Sequence, residues 1–329
     1  MTALPGWIAS ALEAKLENVS RTELRTRAQR ISDSYRGGGT SDVIRSDLDA
    51  LAYAIVRMPA TYAAVRTALA QAVDVIPDFR PGSMLDVGAG PGTASWAAFD
   101  AWPSLQDVTL IDANPHLLAL ANAFRQPPAA PDVSLSVRRD SLAALRDADT
   151  ADVVMGSYIF AELGGAAMIA TLEKLWGLSG RLLIIVEPGT PDGFRRILAC
   201  RGTLLARGAQ IVAPCSHEGH CPLAANERWC HFNVRLPRSR DHLAAKDVSV
   251  PFEDERFAYL VAGKGFGALA RGKRVLATPK VDKSAVTLTL CTPDVPEQRR
   301  IARGDKDAYR AAKRLDWGDA ITENRSRTG

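Results

Sequence analysis

The chain has 329 residues, 47% of them hydrophobic, which is long enough for two or three units and a substantial core. No run of about eighteen apolar residues occurs, which excludes a helical membrane span. The net charge of +4 and pI of about 8.8 are too mild to identify a partner by themselves.

The N-terminus shows no signal-peptide pattern, and Glu13, Glu17 and Glu23 argue against an acid-poor transit peptide. A cytoplasmic protein is the expectation. Trp7, Ile8, Leu12, Leu16, Val19 and Leu24 fall at helical spacing over residues 7–30. Gly37-Gly38-Gly39 interrupts the chain. A second helical stretch carries Val43 to Val56, and Pro59 ends or kinks it. A third, Ala60 to Val75, is closed by Pro77. Residues 1–78 read as a helical N-terminal region that packs on the main domain and helps to cover its mouth.

From 79 to 190 strands and helices alternate. The strands are expected at Ser83 to Val87, Val108 to Asp112, Val133 to Arg138, Ala151 to Gly156 and Arg181 to Glu187. Helices are expected between them, as at Pro115 to Phe124 and Ala166 to Trp176. Such alternation predicts an α/β fold, a doubly wound parallel sheet with ligands at the carboxyl ends of its strands. The first strand runs into Asp86-Val87-Gly88-Ala89-Gly90-Pro91-Gly92, a glycine-rich turn before a helix. Its glycines read G-x-G-x-G rather than G-x-G-x-x-G, and a carboxylate sits two residues before the first of them. That acid suits an ammonium or sulfonium better than a pyrophosphate. The stretch resembles motif I of the class I S-adenosylmethionine (SAM) methyltransferases. Asp112 ends the second strand, where an acid typically holds ribose hydroxyls. Asp140 follows the third, either as an adenine contact or as a helix N-cap. Gly156-Ser157-Tyr158 and Glu187-Pro188 end the fourth and fifth.

Residues 191–329 form a Cys-rich, partly β region. A helix is expected from Phe194 to Arg207, and strands at Phe257 to Ala262, Val275 to Ala277 and Ala285 to Cys291. The first and last of these complete the main sheet as an antiparallel pair, or all three form a small separate barrel. Cys215, Cys221 and Cys230 have the spacing C-x5-C-x8-C, and Cys291 follows. Clustered thiols without an export signal point to metal rather than disulfides. Four thiolates suit a [4Fe–4S] cluster. The interleaved His217, His220 and His231 leave zinc as the alternative. Cys200, on the preceding helix, is read as a small buried side chain. Basic residues crowd the last third: Arg235, Arg238, Arg240, Lys246, Arg271, Lys273, Arg274, Lys280, Lys283, Arg299, Arg300, Arg303, Lys306, Arg310, Lys313 and Arg314. They suit a polyanion such as RNA, or simply a solvated surface.

Several stretches together resemble the ribosomal small-subunit-associated methyltransferase-like family, bacterial relatives of mitochondrial small-subunit assembly factors. They are Arg57 to Tyr62, Leu85 to Gly92 with Trp96, Glu187 to Phe194, Ala213 to Cys215 through Cys221-Pro222, Trp229 to Phe232, Pro251 to Glu255 with Tyr259, Leu290 to Asp294, and Trp317-Gly318-Asp319. The resemblance implies a SAM-binding fold, association with small-subunit rRNA, and a [4Fe–4S] cluster on Cys215, Cys221, Cys230 and Cys291. It places the cofactor on Asp86, Gly88, Gly90 and Asp112. Ala89, Asp140 and Ser157 join the candidates by position. Val295 stands where the family commonly has glycine.

An enzyme of this kind transfers a methyl group already activated on sulfur, so it needs mainly to aim a nucleophile and exclude water. The chain lacks the Asn- or Asp-Pro-Pro-aromatic element of amino-methyltransferases, and no cysteine ends the fourth or fifth strand. No catalytic residue is therefore named; Tyr158 and Glu162, near the expected mouth, are read as structural. The readings that follow are an rRNA methyltransferase of the small subunit, a non-catalytic SAM- and rRNA-binding assembly factor, or a zinc-stabilised methyltransferase of another substrate. No DNA and no membrane partner is expected.

Overall fold

In the computed structural model, which describes residues 1–124, 132–224 and 228–321, three helices lead the chain. The stretch expected as one helical run is divided into α1 (Gly6–Leu16) and α2 (Arg21–Arg36). Asn18 takes a left-handed φ of 68°, and Ser20 then caps α2 by accepting from the Glu23 amide. α3 (Asp47–Val75) is one helix of 29 residues and runs through Pro59, where a break was expected. A proline in a helix interior costs about 3 kcal/mol. Here Val56, Met58, Ala60, Tyr62, Ala63, Ala64 and Val65 are all buried around it, and that packing outweighs the lost hydrogen bond.

The main sheet begins with β1 (Ser83–Val87), β2 (Asp107–Asp112), β3 (Ser134–Arg139), β4 (Ala151–Ser157) and β5 (Ser179–Pro188), all parallel. α4 (Thr93–Ala101), α5 (Pro115–Ala123) and α6 (Gly165–Leu178) connect β1–β2, β2–β3 and β4–β5, and α7 (Pro191–Ala206) follows β5. Alternate residues of each strand face opposite layers. Met84, Val153, Met155, Leu182 and Ile184 join the core shared with α3, α4 and α5. Leu85, Val87, Val154, Leu183 and Ile185 join the core on the other face, with Leu172, Leu175, Ile197 and Leu204 of α6 and α7. The near-continuous apolar character of these strands follows from burial on both sides.

The sheet does not end at β5. β6 (Gln210–Ala213), β7 (Phe232–Pro237) and β8 (Phe252–Gly263) follow, with α8 (Arg240–Lys246) between β7 and β8. β8 lies antiparallel to β5 along one edge, and its other edge carries β6 and β7. The strand order is β3-β2-β1-β4-β5-β8-β6, a methyltransferase-type sheet with one antiparallel strand inserted before the last. Phe257 to Ala262 thus completes the sheet, but without the expected antiparallel partner from Ala285 to Cys291.

Ala285 to Cys291 does not join it. β10 (Lys280–Val281), β11 (Ala285–Leu290) and β12 (Glu297–Ala302) form a separate antiparallel sheet covered by α9 (Lys306–Ala312), over Val275, Val286, Leu288, Leu290 and Ala312. Val275 to Ala277 is not a full strand. The two-residue β9 (Lys273–Arg274) pairs β13 (Ala320–Ile321), and Val275 bridges Leu290. The five apolar positions of this small core explain why the segment folds on itself instead of extending the larger sheet. Among the described residues, no helix is long and apolar enough to cross a membrane.

Candidate cofactor cleft and cysteine cavity

A cleft of about 440 Å³ opens at the carboxyl ends of β1, β2 and β4. Gly88, Gly90, Asp112, Asp140 and Ser157 line it, as expected. Gly88 has φ 66°, and a Cβ there would lie 2.3 Å from Ile159 Cγ2, so only glycine fits. Gly92, at φ 80°, turns the chain into α4. The Asp112 carboxylate is held by the backbone: Oδ2 accepts from Gly90 N at 2.7 Å and Oδ1 from Asn114 N at 2.7 Å. Each oxygen keeps a second lone pair for a ligand hydroxyl. Asp140 does not cap the short helix after it; its Oδ1 accepts from Ser141 N at 3.1 Å. The Ser157 hydroxyl is buried with no partner.

Asp86 and Ala89 are corrections. Neither lines the cleft. Ala89 is buried, its amide bonded to Ile111 O at 3.0 Å. Asp86 lies beneath the turn, fully buried, and accepts from the amide and hydroxyl of Ser95 at 3.1 and 2.7 Å. It ties the start of α4 to the end of β1. Burial pushes its pKa up to about 7 against those two hydrogen bonds, and the Asp112 charge adds to the rise. Its Oδ1 has no partner.

The N-terminal region covers the mouth, as expected, but the residues that do so were not named from the sequence. Tyr35, Thr40, Ser41, Asp42 and Tyr53 of the N-terminal region line the cleft. Asn114 fastens this wall: its side-chain amide donates to Ser41 O at 3.3 Å and Ile44 O at 2.9 Å, while its oxygen caps α5. The Asn-Pro pair at a helix start was legible, but its second task was not. At the end of β4, Tyr158 sits at φ 63° and lines the cleft with Glu162. Its hydroxyl donates to Glu255 Oε1 at 3.1 Å, and Arg57 Nη2 reaches the same oxygen at 3.4 Å.

The Glu187 to Phe194 stretch is architectural. Glu187 is fully buried, paired with Arg196 Nε at 2.6 Å and accepting from Phe160 N at 3.1 Å. A Cβ at Gly189 would meet the Arg256–Phe257 backbone at 2.6 Å, and one at Gly193 would collide with Pro188 O. Trp229 Nε1 donates to Gly189 O at 2.9 Å, which anchors the cysteine loop to the end of β5.

Behind β8 lies a second, more enclosed cavity with an almost wholly apolar wall. Cys215, Cys221, Cys230 and Cys291 all line it, gathered from the loop after β6, the approach to β7 and the end of β11. Burial raises the pKa of Cys215, Cys230 and Cys291, the last to about 11. The three histidines do not line this cavity. His220 is exposed, and His231 stacks on Trp229 at 5.2 Å. His217 Nε2 approaches Cys291 Sγ at 3.8 Å from the outer side. Among the described residues, no three His, Cys, Asp or Glu side chains are grouped tightly enough to hold a single metal ion. Cys200 is buried in the core of α7, apart from the cavity.

The basic set of the last third is partly spent within the fold. Arg235, Arg238, Lys246, Arg271, Lys273, Arg299 and Arg310 pair with carboxylates, and Arg274 is buried. Lys280, Lys283, Arg300, Arg303, Lys306, Lys313 and Arg314 are exposed on the small sheet, α9 and the residues just after it.

A model of the family described as mitochondrial small ribosomal subunit Rsm22 matches residues 47–322. The human mitochondrial ribosome assembly protein METTL17 is 26% identical, over 82% of this chain and 62% of its own length. The Rsm22-cox11 tandem protein 2 of Schizosaccharomyces pombe, also mitochondrial, is 26% identical over 93% of this chain and 47% of its own. The chain thus spans between about half and three-fifths of these relatives. Among solved structures, magnesium protoporphyrin IX methyltransferase of Synechocystis with bound S-adenosylhomocysteine (SAH) is similar at a TM-score of 0.42 and 15% identity, covering 74% of this chain and 99% of that one.

Proposed function

The chain belongs to the mitochondrial small ribosomal subunit Rsm22 family, and from that membership we propose a small-subunit assembly factor that binds SAM in the cleft and a [4Fe–4S] cluster in the cysteine cavity. SAM, when bound, carries a methyl group activated on a sulfonium. The chain's own residues fit it. Asp112 would present two backbone-held oxygens to ribose hydroxyls, Asp140, which lines the same cleft, would lie by the adenine, and Gly88 and Gly90 would offer bare backbone. The buried Ser157 hydroxyl has no other partner. Among the described residues, the four thiols are the only Cys or His side chains on the wall of their cavity, which supports a cluster held by cysteine alone over a Cys/His zinc site. When bound, the cluster staples the loop after β6 to the end of β11.

The observation that carries the non-catalytic reading is the Tyr158–Glu255–Arg57 arrangement. At the end of β4, where an acceptor group would be gripped, the tyrosine hydroxyl and the carboxylate are already engaged with each other and with Arg57. The second reading, rRNA methyl transfer, is favoured by the open cleft and its intact ribose acid. Calorimetric titration with SAM, repeated on Asp112→Ala, tests the first step. Binding that drops at least tenfold in the variant is expected; no binding by the parent removes both readings. Tritiated SAM offered with assembling small subunits then separates them, since label in rRNA overturns the non-catalytic reading.

A further inference from the structure

Two arginines border the cysteine cavity, and both are buried: Arg274 is 2% exposed and Arg201 is 6%. Neither has a carboxylate partner among the described residues. Arg201 Nη2 donates to the carbonyls of His217 and Gly219 at 2.9 and 2.8 Å, inside the cysteine loop. Arg274 Nε donates to Pro214 O at 2.9 Å, next to Cys215, and Nη1 to Gly318 O at 2.8 Å and to Gln71. Carbonyls satisfy the hydrogen bonds of a guanidinium but do not neutralise it, and an uncompensated buried charge is strongly unfavourable. Two such cations on the wall of one cavity are harder still to explain by packing.

Two further donors at this cavity are idle. Among the described residues, Arg201 Nε and the Tyr259 hydroxyl are buried without a hydrogen-bond partner, and both side chains line the wall with the four thiols. Tyr259 lies on β8, fully enclosed, where phenylalanine would fill the same space with no unsatisfied oxygen. Four unsatisfied features, two charges and two donors, belong to side chains on the wall that the four cysteines also line.

We infer that Arg201 and Arg274 are the countercharges, and Arg201 Nε and the Tyr259 hydroxyl the hydrogen-bond donors, for a dianionic thiolate-bound cluster in this cavity. The inference rests on the cluster reading above. Four thiolates around an oxidised [4Fe–4S] core leave two negative charges, and two guanidiniums bring the buried sum to zero. Net charge and hydrogen bonds to sulfur are the terms that set a cluster's reduction potential. These residues therefore make one-electron reduction easier and hold the cluster against loss. They position and compensate; they do not ligate.

The test uses the full chain purified anaerobically, with iron and sulfide counted and the midpoint read from a dithionite titration followed by electron paramagnetic resonance. Tyr259→Phe and Arg201→Gln are expected to shift the reduction equilibrium at least tenfold toward the oxidised form, about 59 mV for one electron. Both should lose iron faster on chelator challenge. Arg201→Lys, which keeps the charge, should restore most of the potential. In metal-free protein Tyr259→Phe should melt no lower than the parent, because it removes an unpaired hydroxyl, and this separates the role from ordinary packing. A parent chain without iron would overturn the cluster reading itself. A parent with four irons, and variants with its potential and its rate of iron loss, would overturn the inference alone.

Discussion

Asp86 shows how a residue can be legible in sequence and misplaced in role. Its position before the glycines marked it as a contact for a cationic ligand, yet its carboxylate is turned under the loop onto Ser95. Spacing along the chain reports that an acid is needed at the turn, not which way it points. Asp112, the last residue of β2, does line the cleft, held there by the Gly90 and Asn114 amides. The buried state of Asp86 has a measurable sign. Its folded-state pKa, about 7, lies above the ordinary carboxylate value. The folded protein therefore takes up a proton between about pH 4 and pH 7, and stability falls as pH rises through that window. Asp86→Asn should flatten the fall and leave the variant about 4 kcal/mol more stable than the parent at pH 8, with little difference at pH 4. Melting temperatures across that range would decide it; parallel curves for the two proteins would contradict the assignment.

At the level of elements, the five parallel strands were readable nearly to their ends. Apolar runs closed by an acid, glycine or serine have few other places to go than a sheet covered on both faces. The failures share one cause, which is long-range packing. Pro59 signalled a break, but a helix buried around its circumference is held from outside. β6 and β7 are short edge strands whose identity depends on β8, more than a dozen residues further on. That the N-terminal region covers the mouth was expected, but which residues do so could not be found locally, because Asn114, some seventy residues away, fastens residues 41–44. Asn114→Ala removes both the cap of α5 and the fastening of residues 41–44. It should cost about 1–2 kcal/mol in unfolding free energy. It should also weaken SAM binding several-fold, an effect that cap loss alone would not produce; calorimetry beside a denaturant melt would reveal a cap-only role if affinity stayed at the parent value.

At the scale of the whole molecule, the small β10–β12 sheet and the main sheet meet through the cysteine cavity. Cys291 N donates to Arg274 O at 2.8 Å, and Ser216 donates to Cys291 O at 3.1 Å. With metal bound, Cys221→Ser should lower the melting of the C-terminal part while SAM still binds, and limited proteolysis would locate the loosened segment. Equal protease resistance in variant and parent would deny the cavity a structural role. The exposed cations of the small sheet would ride on that staple, so RNA affinity should fall in the same variant at moderate salt. One strand reaches both sites. On β8, Glu255 takes the Tyr158 hydroxyl in the cleft, and Tyr259, four residues on and on the same side of the pleat, borders the thiols. Any coupling between the two cavities through this strand would be symmetric: whatever factor a filled cysteine site added to nucleoside affinity, a filled nucleoside site would return to metal retention.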